Sequence, residues 1–79
     1  MKITVKYFGQ LAEQTGIQEE TLSLEETGRQ VQELKRFCLQ KHGLTEESAV
    51  QVAVNHAINY PDLLQPGDEV AFLPPYAGG

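Results

Sequence analysis

Apolar and polar residues alternate with a period of two in several short stretches of this chain, and that period is typical of half-buried β-strands. In the first stretch, residues 2–8, Ile3, Val5 and Tyr7 fall on one side of the strand and Phe8 falls on the other. The same pattern predicts further strands at residues 19–24, 50–54 and 69–73, with a short one around 58–60. The sequence therefore predicts a small sheet whose strands each have one apolar face.

A period of 3.6 residues predicts one main helix over residues 28–42. Its apolar stripe is formed by Val31, Leu34 and Cys38. A shorter helical turn is expected at residues 10–15. Because the pattern contains one long amphipathic helix, we expect it to cover one face of the sheet in an α+β arrangement.

Two positions compete for the start of the main helix. Thr27, with Gln30 three residues later, has the spacing of a capping box, and so has Ser23 with Glu26. At the other end, Gly43 is suited to the left-handed conformation that terminates many helices.

Length, charge and cysteine content exclude several classes of function. The 79 residues suffice for one small domain, and six basic against eleven acidic residues give a net charge of −5. This sign is unfavourable for neutralising phosphates, so we expect no nucleic-acid binding and a basic partner surface instead. A single cysteine and the lack of an apolar signal segment predict a soluble protein of the cytoplasm, without a membrane partner.

The last six residues, Pro74-Pro75-Tyr76-Ala77-Gly78-Gly79, differ from the rest of the chain. Two successive prolines cannot continue a sheet, because they lack backbone donors. The terminal glycines form a narrow end without side chains, and its carboxylate can enter a channel that is too tight for any other residue. A frayed terminus is the alternative interpretation of these residues.

Several segments distributed over the whole chain match one known family. They are residues 7–13 with Gly16, residues 52–55, residues 66–75 and the terminal pair Gly78-Gly79. Through them the chain resembles the ubiquitin-like β-grasp sulfur carriers, and most closely the small subunits of molybdopterin synthase. The resemblance implies an α+β, ubiquitin-like β-grasp fold with a mixed sheet and one main helix on one face. Residues 1–75 would form this domain, and residues 76–79 would be a flexible tail.

The resemblance also implies that the carboxylate of Gly79 is the reactive group. A ubiquitin-activating-like adenylyltransferase would adenylate it with ATP, and a sulfurtransferase would supply the sulfur that converts it to a thiocarboxylate. In the synthase, a heterotetramer, the tail residues Pro74, Pro75, Tyr76, Ala77 and Gly78 would enter the large catalytic subunit. There the sulfur would pass to cyclic pyranopterin monophosphate in molybdenum cofactor biosynthesis. The small subunit would be noncatalytic and would bind no cofactor of its own.

The strand patterns predict a docking surface beside this tail. If Tyr7 and Phe72 face the helix, then Phe8 and Leu73 face outward, and β-grasp topology places the first and last strands side by side. Ile58 is a candidate third member of the surface. Exposed apolar neighbours of this kind are what a partner-binding surface requires. A register slip of one residue would instead bury both Phe8 and Leu73.

Three side chains invite other functions that we do not favour. Cys38 lies on the helix stripe, where a free cysteine acts as a small hydrophobe rather than as a persulfide carrier. His42 and His56 lack the spacing of metal ligands, so we expect no metal site, and each has a local role at a helix end or in a tight turn.

The sequence leaves two alternatives to the synthase open. The same thiocarboxylate would serve another recipient, such as thiamine synthesis or transfer RNA thiolation, although Pro74-Pro75 favours the molybdopterin branch. Alternatively, the chain would be a ubiquitin-like modifier, conjugated through Gly79 to lysines of target proteins. All of these functions use one activated carboxylate.

Overall fold

The computed structural model describes residues 1–44 and 50–74 of the chain. Its elements in chain order are β1 (Lys2–Tyr7), α1 (Gln10–Thr15), β2 (Glu19–Ser23), α2 (Leu24–Thr27), α3 (Val31–Lys41), β3 (Gln51–Val54) and β4 (Glu69–Leu73). The ends of the first three strands differ from the predicted ones by a single residue. No helix within the described ranges is long and apolar enough to cross a membrane.

The four strands form one mixed sheet in the order β2-β1-β4-β3. The first and last strands of the chain, β1 and β4, lie side by side and run parallel, whereas β2 and β3 are antiparallel neighbours at the two edges. The predicted pairing of the first and last strands is therefore confirmed. As a consequence, the chain leaves the sheet from a central strand rather than from an edge.

One face of the sheet packs against α3 and forms the core. Phe72, Ile3 and Leu34 are among its largest fully buried side chains, and each stabilises the fold by roughly 1.5–3 kcal/mol. The predicted helix stripe is confirmed, because Val31, Leu34 and Cys38 are all buried in this core.

The predicted helix over 28–42 is wrong at its start, because α3 begins only at Val31 and the preceding helix, α2, ends at Thr27. Ser23 precedes the single turn of α2, and Gln30 precedes α3. Between them, Gly28 has a positive φ of 88°. Residues 29–31 exchange backbone hydrogen bonds with residues 62–64, and Gln30, which forms the bridge, is extended. This pairing with a distant segment therefore prevents α3 from beginning at residue 28.

Both ends of α3 are capped by local hydrogen bonds. At the start, the capping box is formed by Gln30 with Glu33, and not by the predicted pair of Thr27 with Gln30. At the end, Gly43 has a φ of 69° and the Leu44 backbone N–H donates to the Leu39 carbonyl oxygen at 2.8 Å. This arrangement is a Schellman motif, and it confirms the expected role of Gly43.

The short strand predicted at 58–60 is absent from the described part of the chain. Asn55 and His56 both have positive φ values and form the expected tight turn, after which only Ala57 bridges back to Val54. The next residue, Ile58, is 76% exposed and belongs to no strand. Apolar residues therefore alternate at 58–60 without forming a strand, because this segment is a turn followed by a loop.

Candidate functional site

The parallel pairing of β1 with β4 brings two strand ends together at the point where the tail begins. Tyr7 lies opposite Phe72, and the Phe8 backbone N–H donates to the Phe72 carbonyl oxygen at 3.2 Å. Phe8 and Leu73, each one residue further along its strand, are therefore neighbours. The structure brings together two of the three predicted docking residues.

Phe8 and Leu73 lie on the face of the sheet that is turned away from α3. Tyr7 and Phe72 are buried in the core, whereas Phe8 is 44% exposed and Leu73 is half-buried outside the core. The predicted register is therefore confirmed, since a slip of one residue would have exchanged the two faces. We call these two adjacent apolar side chains the Phe8–Leu73 pair.

Ile58, the third predicted docking residue, is not in contact with this pair. It follows Ala57, which hydrogen-bonds to Val54 on the side of β3 that faces away from β4. Val54 pairs with Val70, whereas Leu73 pairs with Gln51, so Ile58 lies at the other end of the β3–β4 pairing from Leu73.

Pro74 is the last described residue, and the chain leaves the sheet there. It is half-buried against Gly9, where a Cβ atom would lie 3.2 Å from Pro74 Cγ. Gly9 has φ 57° and ψ −131°, a conformation that residues with side chains rarely adopt. Glycine thus lets the turn after β1 pass close to the proline ring. The remaining predicted tail residues lie outside the described residues; they are Pro75, Tyr76, Ala77, Gly78 and Gly79.

On the helix side of the sheet, the Glu20 carboxylate joins β1, β2 and the end of α3. Tyr7 Oη donates to Glu20 Oε2 at 2.7 Å, and Lys41 Nζ donates to Glu20 Oε1 at 2.6 Å. His42 Nε2 lies 2.8 Å from Glu20 Oε2, and the His42 ring packs edge-on against Tyr7. We call these four residues the Glu20 cluster. Because it holds Tyr7, it fixes the end of β1 that carries Phe8.

The electrostatics of the Glu20 cluster keep its carboxylate ionised. Burial acts to raise the pKa of Glu20, but hydrogen bonds from Lys41, His42 and Tyr7 outweigh it and lower this pKa to about 2. Burial also raises the pKa of Tyr7, which therefore remains a neutral donor. The cluster is a structural anchor in which each charge or hydroxyl already has a partner.

The thiol of Cys38 is buried and unreactive in this setting. The side chain is fully buried in the core, and burial raises the pKa of its thiol to about 11. A neutral thiol without access to solvent is a poor nucleophile. The expectation that Cys38 packs in the core is confirmed.

The two histidines lie apart from each other. His42 belongs to the Glu20 cluster, whereas the His56 side chain is 82% exposed, with its Nε2 3.4 Å from Glu69 Oε2. In residues 1–44 and 50–74, no group of three or more His, Cys, Asp or Glu side chains is placed to hold a metal ion.

Sequence reasoning missed Glu20, although a signal for it exists. Glu20, Leu22 and Leu24 alternate along the second strand, so Glu20 shares the core-facing side with two buried leucines. A carboxylate on that side requires partners. The basic residues at the end of α3 were the candidates for these partners in the sequence.

The mixed sheet, with β1 and β4 parallel at its centre and α3 on one face, defines the class of the protein, a ubiquitin-like β-grasp domain. A sequence model of the ThiS family matches residues 5–79, and the chain belongs to that family. The molybdopterin synthase sulfur carrier subunit of Homo sapiens is 34% identical over an alignment of 85 positions, which covers 99% of this chain and 94% of the human protein. The chain is therefore a homologue of the small, noncatalytic sulfur carrier subunits of molybdopterin synthase.

Solved structures agree with this assignment. A putative molybdopterin converting factor, subunit 1, from Pyrococcus furiosus has a TM-score of 0.77 and 29% identity, covering 96% of this chain and 99% of its own. A protein–protein complex of subunits 1 and 2 of molybdopterin-converting factor from Helicobacter pylori 26695 contains a chain with a TM-score of 0.64 and 23% identity. That likeness covers 100% of both chains and shows the shared fold.

Proposed function

We propose that this chain is the sulfur carrier subunit of a molybdopterin synthase, and that its reactive group is the carboxylate of Gly79. The observation that carries the proposal is the position at which the chain leaves the sheet. The central strand β4 ends beside the Phe8–Leu73 pair, and after Pro74 the sequence continues for five residues to Gly79. A partner that covers the pair is therefore positioned to receive the tail.

The chemistry requires an activated carboxylate, and it needs no side chain of this protein. A ubiquitin-activating-like adenylyltransferase would transfer AMP from ATP to the Gly79 carboxylate and release pyrophosphate. A sulfurtransferase would then supply sulfur at the sulfide level, which displaces AMP and leaves a thiocarboxylate. This group is a soft anionic nucleophile at neutral pH. After its sulfur displaces an oxygen substituent from a carbon of cyclic pyranopterin monophosphate, water would cleave the acyl–sulfur bond and restore the carboxylate of Gly79.

We assign the catalytic groups to the large subunit. The net charge of −5 is unfavourable for holding an anionic substrate, and the single cysteine is a buried thiol. The Helicobacter pylori complex of subunits 1 and 2 supports a two-subunit assembly. We propose that this assembly is a heterotetramer and that it acts in the cytoplasm, where ATP and the activating enzyme are available.

Co-purification from the native cell, followed by intact-mass analysis of the chain, tests this function. We expect the large subunit to co-purify, and a fraction of the chain to be heavier by one exchange of oxygen for sulfur. Adducts that link Gly79 to lysines of other proteins would instead identify a modifier. A thiocarboxylate together with a different enzyme as the recipient would place the carrier in the thiamine or transfer RNA pathway.

A further inference from the structure

A depression of about 390 Å³ lies beside Phe8, on the side of β1 that faces β2. Its lining includes Lys6 and Phe8 at the end of β1, Gly9 and Ala12 at the start of α1, and Glu19 on β2. It adjoins the Phe8–Leu73 pair through Phe8 itself. A partner that covers this pair would therefore cover the depression as well.

The depression exists because two small residues stand next to a large one. Gly9 contributes no side chain and Ala12 contributes one methyl group, which is partly buried against the core. Phe8, with 44% of its surface exposed, supplies an aromatic wall. The space is open to solvent and is large enough for one long side chain.

Two opposite charges lie at this depression, and they differ in whether they have an ion-pair partner. Glu19 and Lys6 are directly opposite each other in the antiparallel pairing of β1 with β2. Lys6 Nζ, however, lies 3.5 Å from Glu69 Oε1 on the other side of β1. Within the described ranges, Glu19 has no ion pair, and its side chain is exposed. Both charges line the depression, but the Lys6 ammonium is paired with Glu69, so the Glu19 carboxylate is the charge left for a partner beside the aromatic ring.

We propose that this depression receives an arginine side chain of the large subunit, an inference that rests on the proposed function. A guanidinium group is planar, so it stacks on an aromatic face while it donates to a carboxylate. Phe8 supplies the ring and Glu19 supplies the carboxylate. The net charge of −5 also favours a partner with a basic surface. The depression thus adds charge recognition to the apolar contact that the Phe8–Leu73 pair provides.

Titration calorimetry of the full chain with the purified large subunit tests the inference. We expect Glu19→Gln to weaken binding about tenfold and to reduce the salt dependence of the affinity. Ala12→Leu, which fills the depression, should weaken binding about tenfold as well. Glu13→Gln is the matched control, because it removes one exposed carboxylate of α1 that does not line the depression. It should leave the affinity unchanged.

The possible results separate the two proposals. Urea unfolding of each variant establishes that it is folded, and Glu19→Gln changes an exposed side chain only. One result overturns the inference about arginine and leaves the proposed function standing. In it the native chain binds and Phe8→Arg weakens binding, but Glu19→Gln and Ala12→Leu bind like the native chain. If the native chain itself fails to bind the large subunit, both proposals fall.

Discussion

The Glu20 carboxylate accepts hydrogen bonds from side chains of two other elements and of the residue after α3. Its position beside the core makes it one of the few charged groups on which the fold depends. The pair of Lys6 with Glu69 involves partly exposed side chains on the opposite face, where ion pairs contribute about 0–1 kcal/mol. We therefore expect the acid stability of the protein to depend mainly on Glu20.

Replacement of Glu20 by Gln should lower the free energy of unfolding by about 1–3 kcal/mol at neutral pH. The pKa of Glu20 in the folded chain is about 2, below the ordinary 4.5. Its contribution is therefore complete above pH 4.5 and is lost as the pH falls towards 2. Urea unfolding at several pH values measures this difference. Glu19→Gln on the same strand is the control, and an equal effect of both variants would contradict the role of Glu20.

Cys38→Ser tests whether sulfur travels through the only cysteine. Because the thiol is buried and its pKa is raised to about 11, we expect thiocarboxylate formation at Gly79 to be unchanged in the folded variant. Stability should fall by about 1–3 kcal/mol, since a hydroxyl replaces a buried thiol. Intact-mass analysis measures the sulfur loading. Its loss in a folded Cys38→Ser variant would revive a persulfide mechanism.

Phe8→Arg should weaken binding to the large subunit by about 2 kcal/mol or more, which is roughly 30-fold. The free energy of unfolding should change by less than about 1 kcal/mol, because Phe8 is exposed and lies outside the core. Leu73→Arg should act in the same direction. Calorimetry and urea unfolding provide the two measurements.

Thr21→Arg is the matched control for Phe8→Arg. Thr21 is exposed and pairs with Thr4, so it lies on the same outward face but on the edge strand β2. If Thr21→Arg weakens binding as much as Phe8→Arg, the Phe8–Leu73 pair is not the docking surface. If Phe8→Arg instead reduces stability and binding in parallel, the residue is part of the core.

Among the elements, alternation along single strands predicted the sheet well. It placed Tyr7 inside and Phe8 outside, and the pairing of β1 with β4 then followed from the resemblance to the β-grasp fold. The two wrong predictions, a helix that begins at residue 28 and a strand at residues 58–60, have a different origin. The break at Gly28 and the loop at Ile58 depend on residues 62–64 and on the turn after β3, and such contacts between distant segments leave no periodic signal.

The turn between β3 and Ala57 provides a prediction at this scale. Asn55 and His56 have φ values of 52° and 70°, and such a turn favours Asn followed by Gly. His56→Gly should therefore stabilise the fold by about 1 kcal/mol. The exposed contact of His56 with Glu69 is weak and offsets little of this gain. Thermal unfolding measures the effect.

Asn55→Gly serves as the contrast to His56→Gly. The Asn55 side chain accepts a hydrogen bond from the Glu69 backbone N–H at 2.9 Å and donates one to Asp68 at 3.0 Å. In Asn55→Gly, the loss of these two hydrogen bonds should therefore cancel or exceed the stabilisation that glycine provides at a positive φ. An unfolding temperature of His56→Gly below that of the native chain would contradict this explanation of the turn.

For the whole molecule, the described residues form one globule, and the segment that we propose to be reactive follows Pro74, the last of them. The core, the Glu20 cluster and the cap of α3 lie on the helix side of the sheet, whereas the Phe8–Leu73 pair and Pro74 lie where the chain leaves it. The sequence predicted the outward-facing pair, because it depends on local pattern, whereas the flexible tail stays a prediction. It did not predict the Glu20 cluster or the depression beside Phe8, since these form only when separate strands come together.

Deletion of Gly79 tests the central claim most directly. The full chain and the chain that ends at Gly78 are incubated with the activating enzyme, ATP and a sulfur donor, and their intact masses and amide NMR spectra are compared. We predict the mass gain of a thiocarboxylate in the full chain alone, with the spectra of residues 1–74 unchanged between the two proteins. Sulfur loading and transfer that persist without Gly79 would contradict this account.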